Sequence, residues 1–337
     1  MAHKDPAIGD VRPGTQVRAA GLASGRALLS VVDRFVESQS QFDRQARVGV
    51  ARAEREVTRD IYLEYVRSQV MDWTAAEVAA LTQIITSLAD KFAAMAFTLP
   101  ETVYLVKTTG EEEAGAAYTR AMDTIALPAN MVASLTGGRG NGDPLHSGPS
   151  TEYLEKIVNH EFFHLISKNN PALRHRLYGQ VNYKSTGAEV PLPDVAWVKG
   201  RNMPEMKITN PDAPLLDVYI EMEVQVGDST RTMPLMPVLL ASEIYQGGPF
   251  FGVLQWWFMG LTQSDAGTWE PAFGADGKPL MFESAPLMDQ YFRLVGRNIT
   301  QEIFHPDEIL AQSFVLVSEQ PSMALLLAIE KEMATSV

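Results

Sequence analysis

A chain of 337 residues, 46% of them apolar and 20% charged, has enough hydrophobic surface for one large core or two modest ones, which excludes extended disorder for most of it. Twenty-eight Lys and Arg against 41 Asp and Glu leave a formal charge of −13, which argues against a nucleic-acid backbone or an anionic membrane as the main partner. Cys is absent, so disulfides, thiol nucleophiles and Cys-ligated zinc or iron–sulfur sites are excluded, and any metal must be held by His and carboxylates.

Residues 1–25 are rich in Gly, Pro and Ala with single charges and no sustained period, and are expected to form a loosely ordered leader. The polar start Met1-Ala2-His3-Lys4-Asp5-Pro6 lacks the apolar stretch of a secretory signal, so a cytoplasmic location is expected, with leaderless export as the alternative. Residues 26–99 read as a helical region. Leu28, Leu29, Val32, Phe35 and Val36 recur at helical spacing, predicting one or two long helices towards Val70. Thr74-Ala75-Ala76-Glu77 is a capping box and opens a further helix reaching about Phe97.

Leu99-Pro100 closes this part, and residues 100–337 are expected to form the main domain. Val103, Tyr104, Leu105 and Val106 predict a strand over Glu101–Lys107, and a second is expected over Tyr118–Leu127. The Gly-rich stretch 136–144 predicts a loop and lacks the Gly-Lys-Ser/Thr ending of a phosphate-binding loop. Thr151 to Lys168 predicts a helix whose buried stripe is Leu154, Ile157, Val158, Phe162, Leu165 and Ile166. A β-rich insert is expected at about 181–280, where Val218, Ile220, Met222, Val224 and Val226 alternate with polar neighbours. The apolar run Pro249–Leu261 is shorter than the ~18 residues needed to span a bilayer, so no membrane insertion is expected. Helices are predicted over Asp289–Val295, from Pro306 to about Ser318, and over Ser322–Met333.

The chemistry concentrates in His160-Glu161-Phe162-Phe163-His164, an H-E-x-x-H pattern inside a predicted helix. Imidazoles at i and i+4 share one face and can reach a single ion, while Glu161 stands one position round, placed to take a proton from a metal-bound water. With only 6 His in the chain, on the order of 0.01 such matches are expected by chance. Extension to a third His is excluded, because Ser167 and Asn170 stand where that pattern needs Gly and His. Glu308, on the predicted helix after His305-Pro306-Asp307, is the leading third ligand, with Glu189, Asp194 and Glu205 as competitors. Gln312, one turn on, is placed to hydrogen-bond a ligand imidazole. Tyr183, Tyr245, Tyr291, Arg297 and His305 are candidates for stabilising an oxyanion, and His305 lies nearest to Glu308 in sequence.

His160-Glu161-x-x-His164 followed by a helical Glu308-x-x-Ala311 resembles the gluzincin metallopeptidases, the thermolysin-like clan. The resemblance implies an α+β fold with a zincin-like catalytic core, a small sheet and an active-site helix. It further implies one Zn2+ on His160, His164 and Glu308, hydrolysis of a peptide or protein substrate with Glu161 activating the water, and an edge strand, here Tyr118–Leu127, pairing with substrate. The clan's downstream motif often carries an Asp where this chain has Gln312, which keeps an acceptor and removes the charge. Neither the helices before Leu99 nor the long insert is covered by the likeness. Two other readings stand beside it: a zinc-binding interaction or structural domain without catalysis, and an exported protease effector.

Overall fold

The computed structural model describes residues 5–51, 56–133, 151–296, 303–317 and 324–334. In chain order the first half contains β1 (Ala7–Arg12), β2 (Thr15–Ala20), α1 (Leu22–Leu28), α2 (Arg34–Ser38), α3 (Gln41–Val48), α4 (Arg59–Gln69), β3 (Val70–Met71), α5 (Ala75–Phe92), β4 (Thr102–Thr108), β5 (Tyr118–Arg120), β6 (Thr124–Pro128) and α6 (Ala129–Val132). The second half contains α7 (Thr151–Asn169), α8 (Pro171–Gln180), β7 (Tyr183–Ser185), β8 (Ala196–Val198), β9 (Arg201–Asn202), β10 (Val218–Val226), β11 (Ser229–Ala241), β12 (Leu254–Gln263), β13 (Trp269–Pro271), β14 (Met281–Glu283), α9 (Met288–Val295), α10 (Pro306–Val317) and α11 (Ala324–Ala334). The fold is mixed α+β and divides into two compact units. Unit 1 takes the described residues up to Asp33, Arg59–Arg174 and those from Ser313; unit 2 takes the described residues of Arg34–Thr58 and of His175–Gln312. Among the described residues no helix is long and apolar enough to cross a membrane.

Unit 1 is built on a mixed sheet in the order β1-β2-β4-β6-β5, with β3 pairing the end of β4. The central β2, β4 and β6 run parallel, and β1 and β5 are antiparallel additions at the two edges. β4 is buried over most of its length, the run of apolar residues expected of a strand covered on both faces. The capping box predicted at Thr74 is formed: Glu77 N–H donates to Thr74 Oγ1 at 3.2 Å, and Thr74 N–H donates to Glu77 Oε2 at 2.8 Å. It starts α5, which ends at Phe92, five residues short of the expected Phe97.

Three expectations change. Residues 1–25 are not a loose leader: β1 and β2 form a hairpin that joins the sheet, with Ile8, Val11, Val17, Ala19 and Ala20 buried. Its turn is Pro13-Gly14, with Gly14 at φ 84°, a left-handed conformation that suits glycine. Residues 26–99 do not form one helical region with long helices, because the chain breaks into α1, α2, α3 and α4, and α2 and α3 belong to unit 2. The breaks are local, since Ser40 caps the start of α3 and Gly49 ends it at φ 74°. The strand expected over Tyr118–Leu127 is a hairpin, β5 and β6, turning at Ala121 with φ 49°.

Unit 2 has an antiparallel sheet in the order β13-β12-β11-β10-β7, with β14 also on β12, which realises the expected β-rich insert. β11 pairs with β10 up to Leu235 and with β12 from Leu235 onwards, so Pro234 and Pro237 flank the change of partner. Its core gathers Met236, Val238, Leu240, Met259 and Leu261 from these strands with Val190, Met203 and Tyr219. A second cluster joins Phe42 and Ala46 of α3 to Ile208, Ala241, Tyr245 and Phe250.

The same helix carries a fully buried ion pair, Arg47 to Asp43 at 2.6 Å, with the guanidinium over the rings of Phe35 and Phe250. Asp43 also accepts from the backbone N–H of Thr209 at 3.0 and 3.1 Å and from Thr209 Oγ1 at 2.7 Å. Asp43→Ala strips Arg47 of its counter-charge and is expected to cost about 3–5 kcal/mol, against about 1 kcal/mol for Thr74→Ala. Urea unfolding of both variants checks the contrast.

Candidate metal centre

α7 is buried on all sides from Val158 to Ser167, so its motif lies inside unit 1. The helix is fixed at several points. Lys91 Nζ and Ser87 Oγ donate to Glu155 at 2.7 and 2.9 Å, and Lys168 Nζ donates to Thr119 Oγ1 at 2.5 Å. At its end the Asn169 and Asn170 amides donate to the carbonyls of Leu165 and Ile166, two of the groups a helix terminus leaves without a partner. Phe162 meets Phe92 at 5.8 Å between ring centroids, and Phe163 meets Phe314 of α10 at 5.4 Å.

Within this frame His160 and His164 stand one turn apart with ring centroids 4.8 Å apart and planes at 74°. His164 is wholly buried, and His160 and Glu161 are 9% and 4% exposed. Two imidazoles on one face and a carboxylate one position round is the arrangement the sequence predicts, here in surroundings that exclude most water. The two neutral nitrogen donors suit a borderline-soft divalent ion, and a carboxylate is the usual complement.

In unit 2, α10 begins at Pro306. His305 caps it: the carbonyl accepts from Ile309 N–H at 3.2 Å and Nδ1 accepts from Asp307 N–H at 3.1 Å. An accepting Nδ1 places the proton of a neutral imidazole on Nε2, so that nitrogen is a donor. Pro306 occupies the first helical position, where its missing N–H costs nothing. Asp307 and Glu308 follow, where the helix dipole favours negative charge, and both are buried. Asp307 Oδ1 accepts from Tyr178 OH at 2.8 Å, and Glu308 Oε1 accepts from Asn210 Nδ2 at 2.5 Å. Asn210 is itself set by a turn, its Oδ1 accepting from Asp212 N–H at 2.9 Å.

The remaining sequence candidates have other duties. Tyr183 and Tyr291 are buried with hydroxyls 3.1 Å apart, Tyr291 donates to Ile303 O at 2.5 Å, and burial pushes both phenols up. Tyr245 donates to Gly248 O. Asp194 accepts from Asn202, Glu205 pairs with Arg201 at 2.8 Å, and Glu189 is exposed. Gln312 makes no side-chain hydrogen bond among the described residues. Arg297 and the Gly-rich stretch 136–144 lie outside the described residues. β5 is the edge strand; Tyr118, Thr119 and Arg120 are all buried, and Thr119 Oγ1 accepts from Lys168. Sequence reasoning missed Asn210, Asp212 and Tyr178; the Asn-Pro pair at 210–211 signals a turn, and nothing local points to Tyr178.

No family model, curated protein or solved structure matches the chain. Tyr178→Phe removes a donor from buried Asp307 and is expected to destabilise the protein by about 1–3 kcal/mol, read as a lowered urea midpoint.

Proposed function

We propose that the chain is a zinc-dependent hydrolase of peptide bonds, with His160, His164 and Glu308 holding the ion. The observation that carries this reading is the pair of buried imidazoles one helical turn apart with Glu161 beside them. Support for Glu308 comes from its chemistry: it is a buried carboxylate and, with the two imidazoles, completes a donor set that could hold a divalent ion. The Glu308 carboxylate is also oriented by the side-chain amide of Asn210, as suits a metal-ligating carboxylate.

A divalent ion on these ligands supplies Lewis acidity towards a carbonyl oxygen and acidity to a bound water. The protein's own part follows from placement. Glu161 accepts the proton of the attacking water and hands it to the leaving amine, a general acid–base role worth about 10²–10⁴-fold. His305, with its proton on Nε2, donates to the oxygen that gains charge. The burial of α7 excludes competing water.

A second donor set, Glu161, His164 and Asp212, is also composed of buried groups. It spends Glu161 on the ion, removes the base and describes a structural zinc domain. Glu161→Gln separates the two. On the hydrolase reading the variant keeps about one zinc per chain and loses turnover on a peptide library by about 10²-fold or more. Loss of zinc from Glu161→Gln and Asp212→Ala, with zinc retained in Glu308→Ala, selects the structural set instead. Asn210→Ala is expected to weaken zinc about 10–100-fold by freeing the Glu308 carboxylate, measured by competition with a chelator.

A further inference from the structure

Unit 2 contains a cavity of about 30 Å³ whose lining is mostly apolar, with Lys207, Thr209, Asn210 and His305 as its polar members. Its place is fixed from below by α3. Ser40 Oγ donates to the carbonyl of Lys207, Arg47 donates to that of Thr209, and Asp43 takes the amide and hydroxyl of Thr209. The lining segment is therefore held by the most buried polar network of this unit.

Lys207 supplies the one Lys or Arg of the lining. Among the described residues its ammonium makes no hydrogen bond or ion pair. Burial pulls it below the ordinary lysine value, and the charges of Asp43 and Glu189 pull it back. Asp43 is already taken by Arg47 and Thr209, and Glu189 is exposed to water. A partly buried cation whose opposing charges make no direct contact with it is relieved further by a bound anion. The volume has room for about two water-sized groups, enough for the two oxygens of a carboxylate. The walls also include Asn210, which holds Glu308, and His305, the oxyanion donor of the reading above.

We propose that this pocket binds a carboxylate of the substrate, so that the hydrolase selects peptides carrying an acidic group close to the scissile bond. The proposal rests on the reading of α10 as part of the reaction site, but its test does not. The full-length chain, kept metal-free by a chelator, is titrated with N-acetylglycine, N-acetylglycinamide and N-acetylaspartate α-amide by ligand-observed NMR. N-acetylglycine or the aspartate probe is expected to bind and the neutral amide is not. Binding by the first assigns the pocket to a chain-terminal carboxylate, and by the second to an acidic side chain. Lys207→Met is expected to weaken the bound probe about tenfold or more, and Lys207→Arg to retain most of it. The urea midpoint of Lys207→Met is expected to be unchanged or higher, because a charge without a partner is removed. Equal binding of acid and amide, no binding of either carboxylate probe, or unchanged binding by Lys207→Met overturns the proposal. Zinc at about one per chain without probe binding removes the pocket alone, whereas probe binding without zinc removes the ligand set alone.

Discussion

The carboxylate of Asp43 has no contact with water, and much of unit 2 is arranged so that its charge is met. It receives the guanidinium of Arg47, the backbone N–H groups of Ser40 and Thr209, and the hydroxyl of Thr209. A buried charge with this many donors is tolerated; with one missing, the penalty falls on the whole set, because each partner is itself removed from solvent. The network therefore behaves as a unit. It ties the short helix α3 to a segment 166 residues away in sequence, and that segment carries Lys207 and Asn210. The orientation of Glu308 through Asn210 thus depends on an ion pair far from it in the chain.

α7 presents the complementary problem. A helix that displays two imidazoles and a carboxylate would ordinarily keep them at the surface, yet this one is buried on every side through its motif. The cost of burying polar groups is offset by packing that leaves little freedom, with Phe92, Phe97, Phe162, Phe163 and Phe314 in edge and tilted contacts around it. Its C-terminal carbonyls are answered by Asn169 and Asn170, which also bind Met122 and Thr98 of neighbouring segments. The residues that read as a helix stop are therefore a joint between elements.

What could be read in advance had a local cause. The capping box at Thr74, the H-E-x-x-H helix, the proline-started α10 and the alternating β10 each obey rules spanning fewer than about ten residues. β1 and β2 are obscured because alanines and glycines alternate weakly with charges; pairing with each other, and of β2 with β4, makes them strands. Asp194, Glu205 and Glu308 look equally able in sequence, and only folding shows their partners, Asn202, Arg201 and Asn210. Asn210 and Tyr178 lie 98 and 129 residues from the acids they serve, a separation no periodicity encodes.

The first turn of α10 shows how few residues are needed to gather buried acids and a donor at a helix start. Pro306 starts the helix without an idle amide, and the imidazole of His305 takes the N–H of Asp307 in place of the usual Ser, Thr or Asp cap. That choice has a chemical consequence. A hydroxyl or carboxylate cap would end its role there, whereas an imidazole that accepts on Nδ1 must carry its proton on Nε2 and so presents a donor. Asp307, turned to Tyr178, and Glu308, turned to Asn210, then occupy the positive end of the helix dipole as a pair of buried acids with different partners. Capping, orientation of a buried carboxylate and supply of a hydrogen-bond donor are thus combined in four consecutive residues, so each of them is tied to the start of the helix as well as to its own partner.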